Sequence, residues 1–113
     1  MVEMVAMRGE LSEAEALALS HLNSRRFELL LHAARFGGPF TASQLREVAP
    51  EHSSSLTRDL NALEAGGLLV ATPSASEQRQ GRPVQFRLAP ETPELFARLS
   101  ALISEASTLP PSS

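Results

Sequence analysis

Apolar residues recur along this chain first with a helical period and later in alternation, and the switch between the two organises the reading. Ser12 followed by Glu15 is a capping box, in which the hydroxyl accepts a free backbone N–H and the carboxylate reaches back. It predicts a first helix over 13–22. Asn23 and Ser24 offer a new cap, and Arg25 to Phe36 reads as a second helix. There Phe27, Leu30, Leu31 and Ala34 share one face, while Leu29, Ala33 and Phe36 line the opposite side. A helix apolar on both sides is expected to be central and packed by several neighbours. Gly37, Gly38 and Pro39 end it.

Thr41 and Gln44 form a second capping box, with Phe40 placed to staple onto Leu45. That helix is short, because Pro50 disfavours a helical conformation at Ala49. A polar turn, Pro50 to His52, leads into a helix over Ser53 to Ala65 with Leu56, Leu60 and Leu63 turned inward, stopped by Gly66 and Gly67. Two helices joined in this way are a helix-turn-helix unit. The period then changes. Leu68 to Thr72 is a short strand, and Val84, Phe86 and Leu88 alternate with Gln85 and Arg87 as a second one. Residues 73–83 between them are polar and rich in turn formers, so the pair reads as a β-hairpin with a long mobile tip. Thr92 caps a last helix with Pro93 at its first position, and Leu95, Phe96, Leu99, Leu102, Ile103 and Ala106 form its apolar stripe. The expected organisation is one domain over 11–106, a flexible N-terminus (1–10) and a disordered tail (107–113).

Composition narrows the chemistry. A length of 113 residues supports one modest core and leaves little room for a separate catalytic domain. The absence of Cys excludes disulfides, thiol catalysis, Cys-based zinc sites and Fe–S clusters. His21, His32 and His52 are too far apart to make a metal-spacing motif. No nucleophile elbow or glycine-rich phosphate loop occurs, so neither an enzyme nor a cofactor or metal site is expected. No apolar run is long enough to span a membrane. Glu3 and Arg8 break the N-terminal apolar stretch, so no signal peptide is expected and a cytoplasmic protein is. All ten basic residues are Arg, a bias read as the mark of a GC-rich genome.

The order helix, helix, helix-turn-helix, hairpin, helix resembles a winged helix-turn-helix domain over about residues 11–106, mainly α with a small β-hairpin (α-α-α-α-β-β-α). "FTASQLREVAPEHSSSLTRDLNALEAGGLL" is similar to the helix-turn-helix of ArsR-like and MarR-like bacterial transcriptional regulators. "QGRPVQFRLAPE" resembles their wing and its exit, and the flanking helices are similar to those that dimerise ArsR-like proteins. The resemblance implies a sequence-specific, double-stranded-DNA-binding regulator, a dimeric repressor in the usual arrangement. ArsR-like metal sensors take ligands from Cys, His and carboxylates on the recognition or last helix. Those helices lack Cys here and His52 has no evident partner triad, so metal sensing is not expected. A small-molecule effector stays open.

The residues favour groove reading on their own account. With the leucines inward, helix 53–65 presents Ser54, Thr57, Arg58 and Asn61 outward, short donors and acceptors plus one guanidinium. Ser53, Ser54 and Ser55 in its first turn lie beside free N–H groups, a favourable place for a phosphate. Arg46 adds a cation on the preceding helix. The wing, 73–83, carries Arg79 and Arg82 around Gly81, suited to the backbone or a narrow minor groove. The net charge of −3 is unevenly placed: residues 1–24 carry −3, residues 25–90 carry +2 and residues 91–113 carry −2. Modest non-specific affinity and reliance on a homodimer through helices 13–22 and 93–105 are therefore expected. The alternative is a winged-helix module that binds protein and no DNA, fitting the acidic flanks; Arg58, Arg79 and Arg82 discriminate between the two.

Overall fold

A computed structural model describes residues 11–74 and 83–108. The chain is mainly helical with a small antiparallel sheet. Helix α1 (Glu13–Ser20) and α2 (Ser24–Phe36) precede a two-residue strand β1 (Phe40–Thr41) and helix α3 (Ala42–Val48). A 3₁₀ helix (Pro50–Ser55) runs into α4 (Leu56–Ala65), followed by strands β2 (Leu69–Thr72) and β3 (Gln85–Leu88) and helix α5 (Thr92–Thr108). The N-terminus 1–10, the hairpin tip 75–82 and the tail after 108 lie outside the described residues, and with them Arg79, Gly81 and Arg82.

Both capping boxes form. Ser12 Oγ accepts from Glu15 N at 3.1 Å and Glu15 Oε1 accepts from Ser12 N at 2.9 Å. Thr41 and Gln44 repeat the exchange at 3.1 and 2.8 Å. Asn23 caps α2 by accepting from Arg26 N, and Gly37 ends it at φ +71°, a left-handed conformation that a side chain would strain. Gly66, after α4, serves a close approach: a Cβ there would lie 3.0 Å from His21 Cβ, at the end of α1.

The core sits where α2, α3 and α4 meet the sheet. Leu56, Leu60 and Leu63 are buried, together with Leu29, Leu30, Ala33, Phe40, Leu45, Leu69 and Phe86. Burial of each such leucine contributes roughly 1.5–3 kcal/mol. The strands alternate as their period requires, with Leu69 and Ala71 of β2 and Phe86 of β3 inward.

Several expectations need correction. The two flanking strands pair as foreseen, Leu69 opposite Leu88 and Ala71 opposite Phe86, but β3 is central in a three-stranded sheet. Phe40, read as a staple before a helix, also pairs opposite Phe86 as strand β1. Helix α2 is not enclosed on two sides: it buries Leu29, Leu30 and Ala33, whereas Phe27, Leu31, Ala34 and Phe36 are exposed. Its neighbours in the core cover one face only. The helix expected over 53–65 starts as α-helix at Leu56, because Pro50 to Ser55 wind into the tighter 3₁₀ form. Thr92 does not stand outside α5 as a cap: it is the helix's first residue, buried, and its hydroxyl donates to the Leu68 carbonyl at 2.9 Å. Lastly α1 stops at Ser20 and α5 continues to Thr108, past the predicted end.

Helix α5 touches the rest of the fold through its first half. Phe96 meets Phe27 edge-to-face at 5.5 Å, and Leu95 and Phe96 pack against the core. Arg98 Nε donates to Glu15 Oε2 at 2.8 Å, tying α5 to α1. Beyond Leu102 every side chain through Ser107 is exposed, Ile103 at 69%. None of the described helices is long and apolar enough to cross a membrane.

Candidate nucleic-acid interface

Helix α4 has two faces of opposite character. Its inner face carries Leu56, Leu60 and Leu63 and, in line with them, Asp59, whose side chain is fully buried. A buried carboxylate is costly unless ionic and hydrogen-bonding partners surround it. Arg25 Nε donates to Asp59 Oδ2 at 2.7 Å and its second nitrogen to Oδ1 at 3.2 Å. Arg26 Nε donates to Oδ1 at 2.9 Å, and Ser55 Oγ to Oδ2 at 2.8 Å. Burial would push this carboxyl up, but the bonds from Arg25, Arg26 and Ser55 outweigh it and hold the group well below the usual carboxylate range. Arg25 is raised in turn by its hydrogen bonds to Asp59. Arg26 also donates to the His21 carbonyl at 3.0 Å, so the network fixes α4 against the start of α2 and the end of α1.

The outer face presents Thr57, Arg58 and Asn61, all exposed, and none of their side chains makes a hydrogen bond or ion pair with another described residue. Thr57 and Asn61 line an open cleft of about 430 Å³ whose other walls are Thr41 and Ser43 at the start of α3 and Pro83 and Val84 at the base of the hairpin. Leu60 and Phe86 form part of its lining. The outer face of α4, the start of α3 and the root of the β2–β3 hairpin therefore converge on one open surface.

The other candidates divide. Arg58 on α4 and Arg46 in the last turn of α3 are exposed and available, outside that cleft. Ser54 is exposed in the 3₁₀ turn. Ser53 and Ser55, expected at a phosphate seat, have their hydroxyls engaged within the fold: Ser53 Oγ donates to the Pro50 carbonyl at 2.7 Å, and Ser55 Oγ to Asp59 at 2.8 Å. They precede α4 in a 3₁₀ segment, so they do not form its first turn.

Two features escaped the sequence reading. The Asp59 network joins residues 33 and 34 positions apart, and its only local signal is an acid in the leucine stripe opposite an Arg pair. His52, a turn residue with no evident partner triad in the sequence, is buried, with Nε2 3.0 Å from Glu28 Oε1 and 3.8 Å from Glu51 Oε2. That contact holds the 3₁₀ turn to α2. No group of three or more potential metal ligands occurs among the described residues. Compared with protein-family models, curated proteins and solved structures, the chain matches none.

Proposed function

We propose that the chain is a winged helix-turn-helix regulator that binds double-stranded DNA as a homodimer and represses transcription. Helices α3 and α4 form the helix-turn-helix, and β2 and β3 the stem of the wing. Thr57, Arg58 and Asn61 read base edges in the major groove, with Arg58 the residue suited to a bidentate contact with guanine. Arg46, Ser54 and the wing arginines Arg79 and Arg82 contact the sugar–phosphate backbone or the minor groove.

One observation carries this reading. On α4 the inward polar group, Asp59, is saturated with internal partners, while the outward polar groups have none among the described residues and stand beside the root of the hairpin. A surface that keeps short donors, acceptors and a guanidinium uncommitted is suited to an external polar partner. The homodimer is supported by uncovered apolar positions of the flanking segments outside the cleft beside α1, Leu11 before α1 and Ile103 on α5. A two-fold axis through them would set two recognition helices about one DNA turn apart.

The same uncovered surface favours a second reading, a winged-helix module that binds protein. Selection of bound duplexes from a fragmented genome separates the two. The DNA reading predicts enrichment of one two-fold-related sequence; enrichment of none overturns it in favour of the protein reading. On the enriched site, about six charged phosphate contacts, from Arg46, Arg79 and Arg82 of two protomers, predict a slope of log K against log salt of about −5.

A further inference from the structure

A second cleft lies where α1, the C-terminal end of α4 and the start of α5 meet, and it shares no residue with the outer face of α4. Its volume is about 560 Å³, inside the range of roughly 300–1,000 Å³ that holds small ligands. The lining is mostly apolar, with Leu17, Leu68 and Leu95 among its residues. Leu17 remains 48% exposed, so an occupant would remove its surface from water.

The rim is predominantly acidic. Glu64, Glu91 and Glu94 line it, and neither Glu91 nor Glu94 forms an ion pair with a described residue. The guanidinium in the lining, Arg98, is already engaged by Glu15. The C-terminal end of α4 adds the negative end of a helix dipole. An anion entering the cleft would meet like charge. A neutral apolar molecule would gain from the lining and nothing from the rim. A bare metal ion would find no converging set of ligands among the described residues.

We propose that this cleft binds a small organic cation with an apolar body. The apolar part lies against Leu17, Leu68 and Leu95, and the positive centre faces Glu91 and Glu94. The cleft joins the end of α4 to α5, so an occupant would couple the recognition helix to the projecting helix. The proposal goes beyond DNA binding and does not depend on it, since the free protein is the test material.

The probes are tetraphenylphosphonium and tetraphenylborate, two ions of the same shape and opposite charge, titrated calorimetrically into the full chain in sodium buffer. Saturable binding of one phosphonium per chain is expected, with the borate at least tenfold weaker. Glu91→Gln with Glu94→Gln, both at exposed positions, should weaken the phosphonium about tenfold at low salt, an effect that shrinks as salt is added. Ala65→Trp, at an exposed lining position, should obstruct the site and weaken it further. Equal affinity for the two ions, indifference to the paired Gln substitutions, or undiminished binding in Ala65→Trp would overturn the proposal and assign the binding to the uncovered apolar faces of α1 and α5. Loss of DNA binding alone would leave every one of these outcomes unchanged.

Discussion

The two faces of α4 differ less in how many polar groups they carry than in whether those groups have partners. Inside, Asp59 accepts from Arg25, Arg26 and Ser55 amid three buried leucines. Outside, Thr57, Arg58 and Asn61 face water with no described partner. A buried polar group without a partner is destabilising, so the inner face has been completed by the fold. An exposed one is already satisfied by water, and its hydrogen bonds are free to be exchanged for those of a ligand. One helix thus carries a face that holds position and a face whose polar groups stay available to an external partner.

That contrast can be broken by substitution. The largest effect is expected inside, from Leu63→Ala, which leaves a cavity beneath α4 and should lower stability by about 3–4 kcal/mol in chemical denaturation. Asp59→Ala should follow at about 3 kcal/mol, because it strands Arg26 and the hydroxyl of Ser55; Arg25, 40% exposed, turns to water at less cost. Equal stability of Asp59→Ala and wild type would end the claim that the inner face depends on this network.

Acid sharpens the same point. The Asp59 carboxyl is depressed in the fold, so its contribution is present above the ordinary carboxyl range near pH 4 and is lost as pH falls below it. The denaturation midpoint of the wild type should therefore drop more steeply from pH 5 to pH 2 than that of Asp59→Asn. Parallel curves would show that the carboxylate is not held by its neighbours. The smallest effect is expected outside: Thr57→Ala, Arg58→Ala and Asn61→Ala should each leave stability within about 0.5 kcal/mol of wild type.

Much of the inner face was legible in the sequence because it is written locally. The leucines of α4 recur at helical spacing, and the capping boxes at Ser12 and Thr41 lie within four residues each. What escaped depends on distant segments. Strand β1 is two residues long and exists only because Phe40 meets Phe86. Periodicity in α2 showed two apolar stripes, but only neighbours decide which is covered. The serines before α4 had the right composition for a phosphate seat, and 3₁₀ winding with an internal bond to Asp59 put two of them to structural use. Of the proposed recognition surface, the outward placement of Thr57, Arg58 and Asn61 followed from the leucine spacing, whereas the place of Thr41 and Ser43 beside it required the fold.

The most direct measurement compares the affinity of wild type and Arg58→Ala for the enriched duplex with their affinity for a scrambled duplex of equal length and salt. Arg58→Ala should lose about 1–3 kcal/mol on the enriched site, roughly 5- to 150-fold, and far less on the scrambled one, at unchanged stability. An unchanged ratio of the two affinities, with the protein still folded, would contradict the assignment of the outer face of α4 to sequence reading.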